Sequence, residues 1–167
     1  MYLERFELPS PQPMSGGKMS SHEEQIKEGA ASLLEPGEQI LAALVASPRG
    51  STTGGAGGAA GLIGGQWAGK NASGAKAAGL VVKRSCGLVL TPSRIVTFDL
   101  GISLMGAVKE VKEVLSSVPL AEIESVEGKR FGAGGVITIT AQGGTFKLEC
   151  KAPAAKAFAE AFDGARA

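Results

Sequence analysis

Between Cys86 and Cys150 one β-rich run follows another at intervals of roughly ten residues, each closed by turn-forming residues. Leu88–Leu90 and Ile95–Phe98 flank Thr91-Pro-Ser-Arg94, where Pro92 presets a turn and the Ser93 hydroxyl can bond nearby backbone. Val108–Val118 is charged and β-branched and ends at Pro119; Ala121–Glu127 follows. Val136–Thr140 alternates, with Ile137 and Ile139 on one face. Gln142-Gly-Gly144 then makes a hairpin turn into Thr145–Cys150. This pattern predicts a mainly β (α+β) fold in which an antiparallel sheet curls around one core.

The flanks add helices. Ser21-His-Glu-Glu24 has the capping-box pattern, in which Ser21 accepts the third helical N–H and Glu24 reaches back. Ile26, Ala30, Leu33 and Leu34 then share one face, and Glu35-Pro-Gly37 stops the helix. The spacing therefore predicts an N-terminal amphipathic helix within 20–35. Residues 1–19, with Pro9, Pro11 and Pro13, read as a disordered tail, and Met14 and Met19 are further candidate starts. Gln39–Ser47 reads as a first strand. Pro153 opens a last helix carrying Phe158 and Phe162 on one face, with Gly164 expected to end it. That face is expected to pack on the sheet or plug a barrel.

Composition narrows function mainly by exclusion. A net charge of +1 over 167 residues, with Lys and Arg spread out and few aromatics, offers neither the field nor the stacking platform nucleic acid requires. Cys86 and Cys150 are too few for a disulfide scaffold and read as reduced structural thiols. The N-terminus lacks a secretory apolar core, so a cytoplasmic location is expected. His22 is the only histidine, and Glu110, Glu113, Glu122, Glu124 and Glu127, mixed with Lys109, Lys112, Lys129 and Arg130, read as a solvated face. No cofactor, metal site or catalytic constellation is expected.

Three stretches carry a family likeness: Leu34-Glu-Pro-Gly-Glu-Gln-Ile40, Gly87-Leu-Val-Leu-Thr-Pro-Ser-Arg-Ile-Val96 and Ser117-Val-Pro-Leu-Ala-Glu-Ile-Glu-Ser-Val126. With the closing hairpin and helix, Val136 to Phe162, their order resembles the bacterial pleckstrin-homology-like domains, including the YokE-like and GRAM-related short versions. The resemblance implies a PH-like domain over 36–165, a bent seven-stranded antiparallel barrel with a C-terminal capping helix. It implies no activity, because such folds bind lipids, peptides or other subunits. Lipid-binding members carry a basic signature with a characteristically spaced arginine between the first two strands. Here that interval holds Lys70, Lys76, Lys83 and Arg84, and no arginine has that spacing.

Residues 50–79 form a glycine-rich insertion between the first two strands. Gly57, Gly61, Gly65 and Gly69 fall four apart, a stripe that on a helix lets two backbones approach closely. From Gly50 to Gly69 there is no charge, and the only large apolar residues are Leu62, Ile63 and Trp67. An inserted loop, a helical hairpin used for association and a membrane span all remain open for this segment. The expected function is a non-enzymatic binding or scaffold module. Its insertion would mediate self-association, or contact with a protein partner or anionic membrane surface, with Lys70, Lys76, Lys83 and Arg84 as basic contacts. The alternative is a nucleotide- or phosphate-binding protein using Gly64-Gly-Gln-Trp-Ala-Gly-Lys70, which approaches a P-loop but continues with Asn71 where a hydroxyl would bind Mg²⁺.

Overall fold

The computed structural model describes residues 21–49, 74–83, 85–104 and 107–167; the glycine stripe lies outside them. Among the described residues the order is α1 (His22–Ala31), β1 (Ala42–Pro48), β2 (Cys86–Leu90), β3 (Arg94–Ile102), β4 (Val108–Pro119), a 3₁₀ turn (Leu120–Glu122), β5 (Ile123–Phe131), β6 (Gly134–Ala141), β7 (Gly144–Cys150) and α2 (Ala152–Arg166). The seven strands form one antiparallel sheet in the order β4-β3-β2-β1-β7-β6-β5.

β1 is the hinge of this sheet. Ala42–Ala46 pair with β2, whereas only Ser47 and Pro48 pair with β7. The expected barrel is not closed: β4 and β5, consecutive in sequence, are the two edges and do not pair with each other. Pro119 ends β4 without an N–H to donate. The chain then folds back toward the start of β3, where the Leu120 N–H donates to the Ser93 carbonyl at 2.9 Å.

Side-chain alternation divides the interior into two cores. Leu44, Leu88, Leu90, Ile95, Ile137, Ile139, Phe146 and Leu148 meet Phe158 and Phe162 of α2 in the larger one. Ala43, Val89, Val96, Phe98 and Leu100 point the other way, into a smaller core with Ile26, Ala30 and Leu34. Thus α1 roofs the outer face of β1–β4, and β2 is buried along its whole length. Its sequence, Cys-Gly-Leu-Val-Leu, accordingly lacks polar alternation.

The α1 capping box forms as the sequence suggests, with Glu24 N–H to Ser21 Oγ at 3.3 Å and Ser21 N–H to Glu24 Oε2 at 2.9 Å. Leu33, expected on the buried face, is exposed, because the helix ends at Ala31 and the turn rotates Leu34 inward instead. α2 lies directly on β5 and β6. Gly128 has the Ala155 carbonyl where a side chain would be. The helix also runs through Gly164, the expected stop, to Arg166. Arg166 donates to the carbonyls of Ile123 (3.1 Å) and Glu124 (2.7 Å), tying this last turn to the start of β5.

Candidate functional site

β1 points along β7 as it ends. The Arg49 N–H donates to the Lys147 carbonyl at 3.2 Å, and the Arg49 guanidinium sits 4.7 Å above the Phe131 ring. The described chain resumes at Gly74, packed against the Thr145 carbonyl with no room for a side chain. Thr145 and Lys147 are two residues apart on one strand, about 7 Å. The stretch 50–73 therefore leaves and returns at neighbouring points of β7.

The return end is set in the core. Residues 74–77 are helical, and Ala75, Ala78 and Leu80 are buried among the residues of the larger core. The Ala77 carbonyl lies where Gly143, in the β6–β7 turn, would carry a side chain. Ala75 and Ala78, which fall within the expected insertion, are thus packed in the larger core, against the turn between β6 and β7.

Beyond Leu80 the chain is fastened to the inner face of β3 and β4. The Thr97 hydroxyl donates to the Val81 carbonyl (2.8 Å), and the Val81 N–H donates to Ser116 Oγ (2.9 Å). The two hydroxyls are 2.7 Å apart. Thr97 has spent its one proton on Val81, so Ser116 donates to Thr97. Lys83 follows, 2.7 Å from Asp99 and 3.7 Å from Glu113. The hydrogen bond between Lys83 and Asp99 is the main cause that raises the Lys83 pKa and lowers that of Asp99.

Of the residues expected to form the functional surface, Gly57, Gly61, Leu62, Ile63, Gly65, Trp67, Gly69, Lys70 and Arg84 lie outside the described residues, as does the whole Gly64–Lys70 segment. Lys76 is exposed on the helical turn beside the anchor. Lys83 is half-exposed and pairs with Asp99 and Glu113.

A second feature escaped the sequence reading. A cleft of about 750 Å³ opens where β1 passes from β2 to β7, between the N-termini of α1 and α2. Ala43, Val45, Phe131, Pro153, Ala154 and Ala157 give it apolar walls. Ser21, His22, Glu23, Glu149 and Lys151 stand around it, and Cys150 lines it. No local motif marks these positions, since they come from five separate elements. Thr97 did carry a signal: it is the polar residue in Ile-Val-Thr-Phe, on the face that Ile95 buries.

The chemistry available at these sites is limited. Both cysteines are free thiols. Burial pushes the Cys86 thiol up to about 12, and its S–H donates to the Ala46 carbonyl at 3.5 Å. Burial pushes Cys150 up to about 11. Neither is a thiolate nucleophile at neutral pH. Among the described residues no three His, Cys, Asp or Glu side chains cluster to hold a metal ion. Among them, too, no helix is long and apolar enough to cross a membrane. No protein-family model matches the chain, and no curated protein matches it.

Proposed function

We propose that the protein is a non-enzymatic binding or scaffold module of the PH-like kind, which presents residues 50–73 from a fixed base for self-association. The observation that carries this reading is the convergence of the two anchors on Thr145 and Lys147 of β7. A spacer between parts of a fold needs no such convergence; a displayed element does. The return anchor is also expensive to disturb, because it combines buried alanines with the Thr97–Ser116–Val81 hydrogen bonds. Gly57, Gly61, Gly65 and Gly69 supply a small-residue stripe suited to close backbone approach. Seven antiparallel strands and a C-terminal helix support the PH-like resemblance, although the sheet is open rather than a closed barrel.

Membrane contact is the weaker form of the proposal, because Lys83 is already neutralised by Asp99. Light scattering of the full chain against a chain with residues 51–72 replaced by a short Gly-Ser turn tests the proposal. Assembly is expected only in the full chain. Equal masses for the two proteins would overturn it.

A further inference from the structure

β4 is the longest strand and ends the sheet beside β3; among the described residues its other edge pairs with no strand. An unpaired edge is a template for another strand unless charge or irregularity blunts it. β4 has both. Lys109, Glu110, Lys112 and Glu113 are all exposed, and the register against β3 slips three times. Among the described residues Lys109, Glu110 and Lys112 make no salt bridge, and Glu113 meets Lys83 at 3.7 Å.

The slips follow the sequence. Val114, Val111 and Val108 stand opposite Phe98, Leu100 and Ile102, which share one face of β3, so the three valines share that face. Each bulge takes up the extra residue of the repeat Val-Lys-Glu, and a Lys-Glu pair lies between successive valines. Val108 and Val111 reach the smaller core, while Val114 stays 43% exposed.

Run antiparallel against itself, Val108-Lys-Glu-Val-Lys-Glu-Val114 is self-complementary. With Val111 opposite Val111 of a second copy, Lys109 faces Glu113, Glu110 faces Lys112 and Val108 faces Val114. Opposed Lys–Glu and β-branched pairs stabilise antiparallel strands, and like charges placed opposite destabilise them. An edge with this charge order and these bulges is a poor match for an ordinary strand and a good match for its own copy.

We propose that the free edge of β4 pairs antiparallel with the same edge of a second copy of this chain, about a two-fold axis at Val111. The contact is isologous, so one surface supplies both halves. Two paired strands are marginal alone in water. The edge therefore closes between copies already gathered by the displayed stretch, and in that respect it rests on the function proposed above.

Full-length chains, unlabelled and nitrogen-15-labelled, are mixed and treated with a water-soluble carbodiimide, which joins a Lys amine to a Glu carboxylate in contact. Mass spectrometry then reads links between an unlabelled 108–114 stretch and a labelled one. Such mixed links are expected in the wild type. They are expected to fall several-fold in Lys109→Glu, which sets carboxylates opposite each other, and to recover in K109E/E113K, which exchanges the pair across the axis. Both side chains are exposed, so the variants are expected to fold. Absence of mixed links in the wild type would overturn the proposal, as would equal yields from the wild type and Lys109→Glu or no recovery in K109E/E113K. Light scattering of the same samples judges the displayed stretch separately. A monomeric wild type would refute that reading, while the mixed links at high protein concentration still decide the edge.

Discussion

Arg94 grips Glu38 with both prongs of its guanidinium, Nε to Oε1 at 2.8 Å and Nη2 to Oε2 at 2.6 Å. The fork joins two turns far apart in sequence: Glu35-Pro-Gly-Glu38, which leads into β1, and Thr91-Pro-Ser-Arg94, which joins β2 to β3. The ion pair gives the approach of these two turns a physical reason. The Glu38 side chain is only 10 % exposed, so this is a largely desolvated bidentate pair rather than a surface one.

The hydrogen bond from Arg94 is the main cause that lowers Glu38 from 4.5 to about 2. A group depressed in the folded state stabilises above its unfolded pKa, and that stability is lost as pH falls through the folded value. The contribution is therefore complete above about pH 4.5 and disappears between there and about pH 2. Solvent at the partly exposed Arg94 screens the pair, so the contribution at neutral pH is on the order of 1 kcal/mol. Urea unfolding of wild type and Glu38→Gln should show a gap of that order at pH 7, closing as the pH drops toward 2.

Thr97→Val removes a fully buried hydroxyl and leaves the Val81 carbonyl without that donor. A buried polar group deprived of its partner costs about 1–3 kcal/mol. Thr97→Ser keeps the hydroxyl and should recover most of the loss. Hydrogen exchange adds a local readout, because the Val81 amide should lose protection in Ser116→Ala, whose hydroxyl it bonds.

Phe158 and Phe162 are each 1 % exposed in the larger core. Truncating a ring in such a setting costs about 3–5 kcal/mol, most of the stability of a marginal domain. Thermal unfolding of Phe158→Ala and Phe162→Ala should show either a large fall in Tm or no cooperative transition. An unchanged Tm would remove α2 from the core.

The two ends of the glycine-rich stretch make opposite demands on deletions. Joining Arg49 to Gly74 through a short turn spans neighbouring points on β7, and loop-closure entropy changes slowly with length. Replacing 51–72 should therefore leave a cooperative fold with a Tm near that of the wild type. Removing 52–78 deletes Ala75 and Ala78 from the core and leaves Leu80 without its support. That protein should lose at least about 2 kcal/mol or fail to fold. Differential scanning calorimetry of the two chains separates the cases.

The legible parts of the fold are those set by near neighbours. The α1 capping box needs only Ser21 and Glu24, and the β6–β7 hairpin needs only Gln142-Gly143 between alternating strands. Cys86–Leu90 announces its double burial by being apolar throughout. What stayed hidden depends on distant chain. Residues 74–79 share the Gly/Ala composition of the stretch before them, and only contact with Gly143 and Thr145 makes them core. Lys83 reads as a free cation until Asp99 and Glu113 are brought beside it. An open sheet and a closed barrel share one strand pattern, and what separates them is whether β4 and β5 pair. Gly164 stays helical because Arg166 finds carbonyls on β5, a contact no local rule anticipates.

Association is proposed to run through the small-residue stripe Gly57, Gly61, Gly65 and Gly69. Gly61→Leu with Gly65→Leu raises helix propensity and apolar character together while adding bulk to the stripe. Size-exclusion chromatography with light scattering, on the full chain at several concentrations, reads the outcome directly. An oligomer is expected for the wild type and a monomer for the double variant, with the same Tm for the folded domain. A wild type that is monomeric throughout, or a double variant that assembles as well as the wild type, would contradict it.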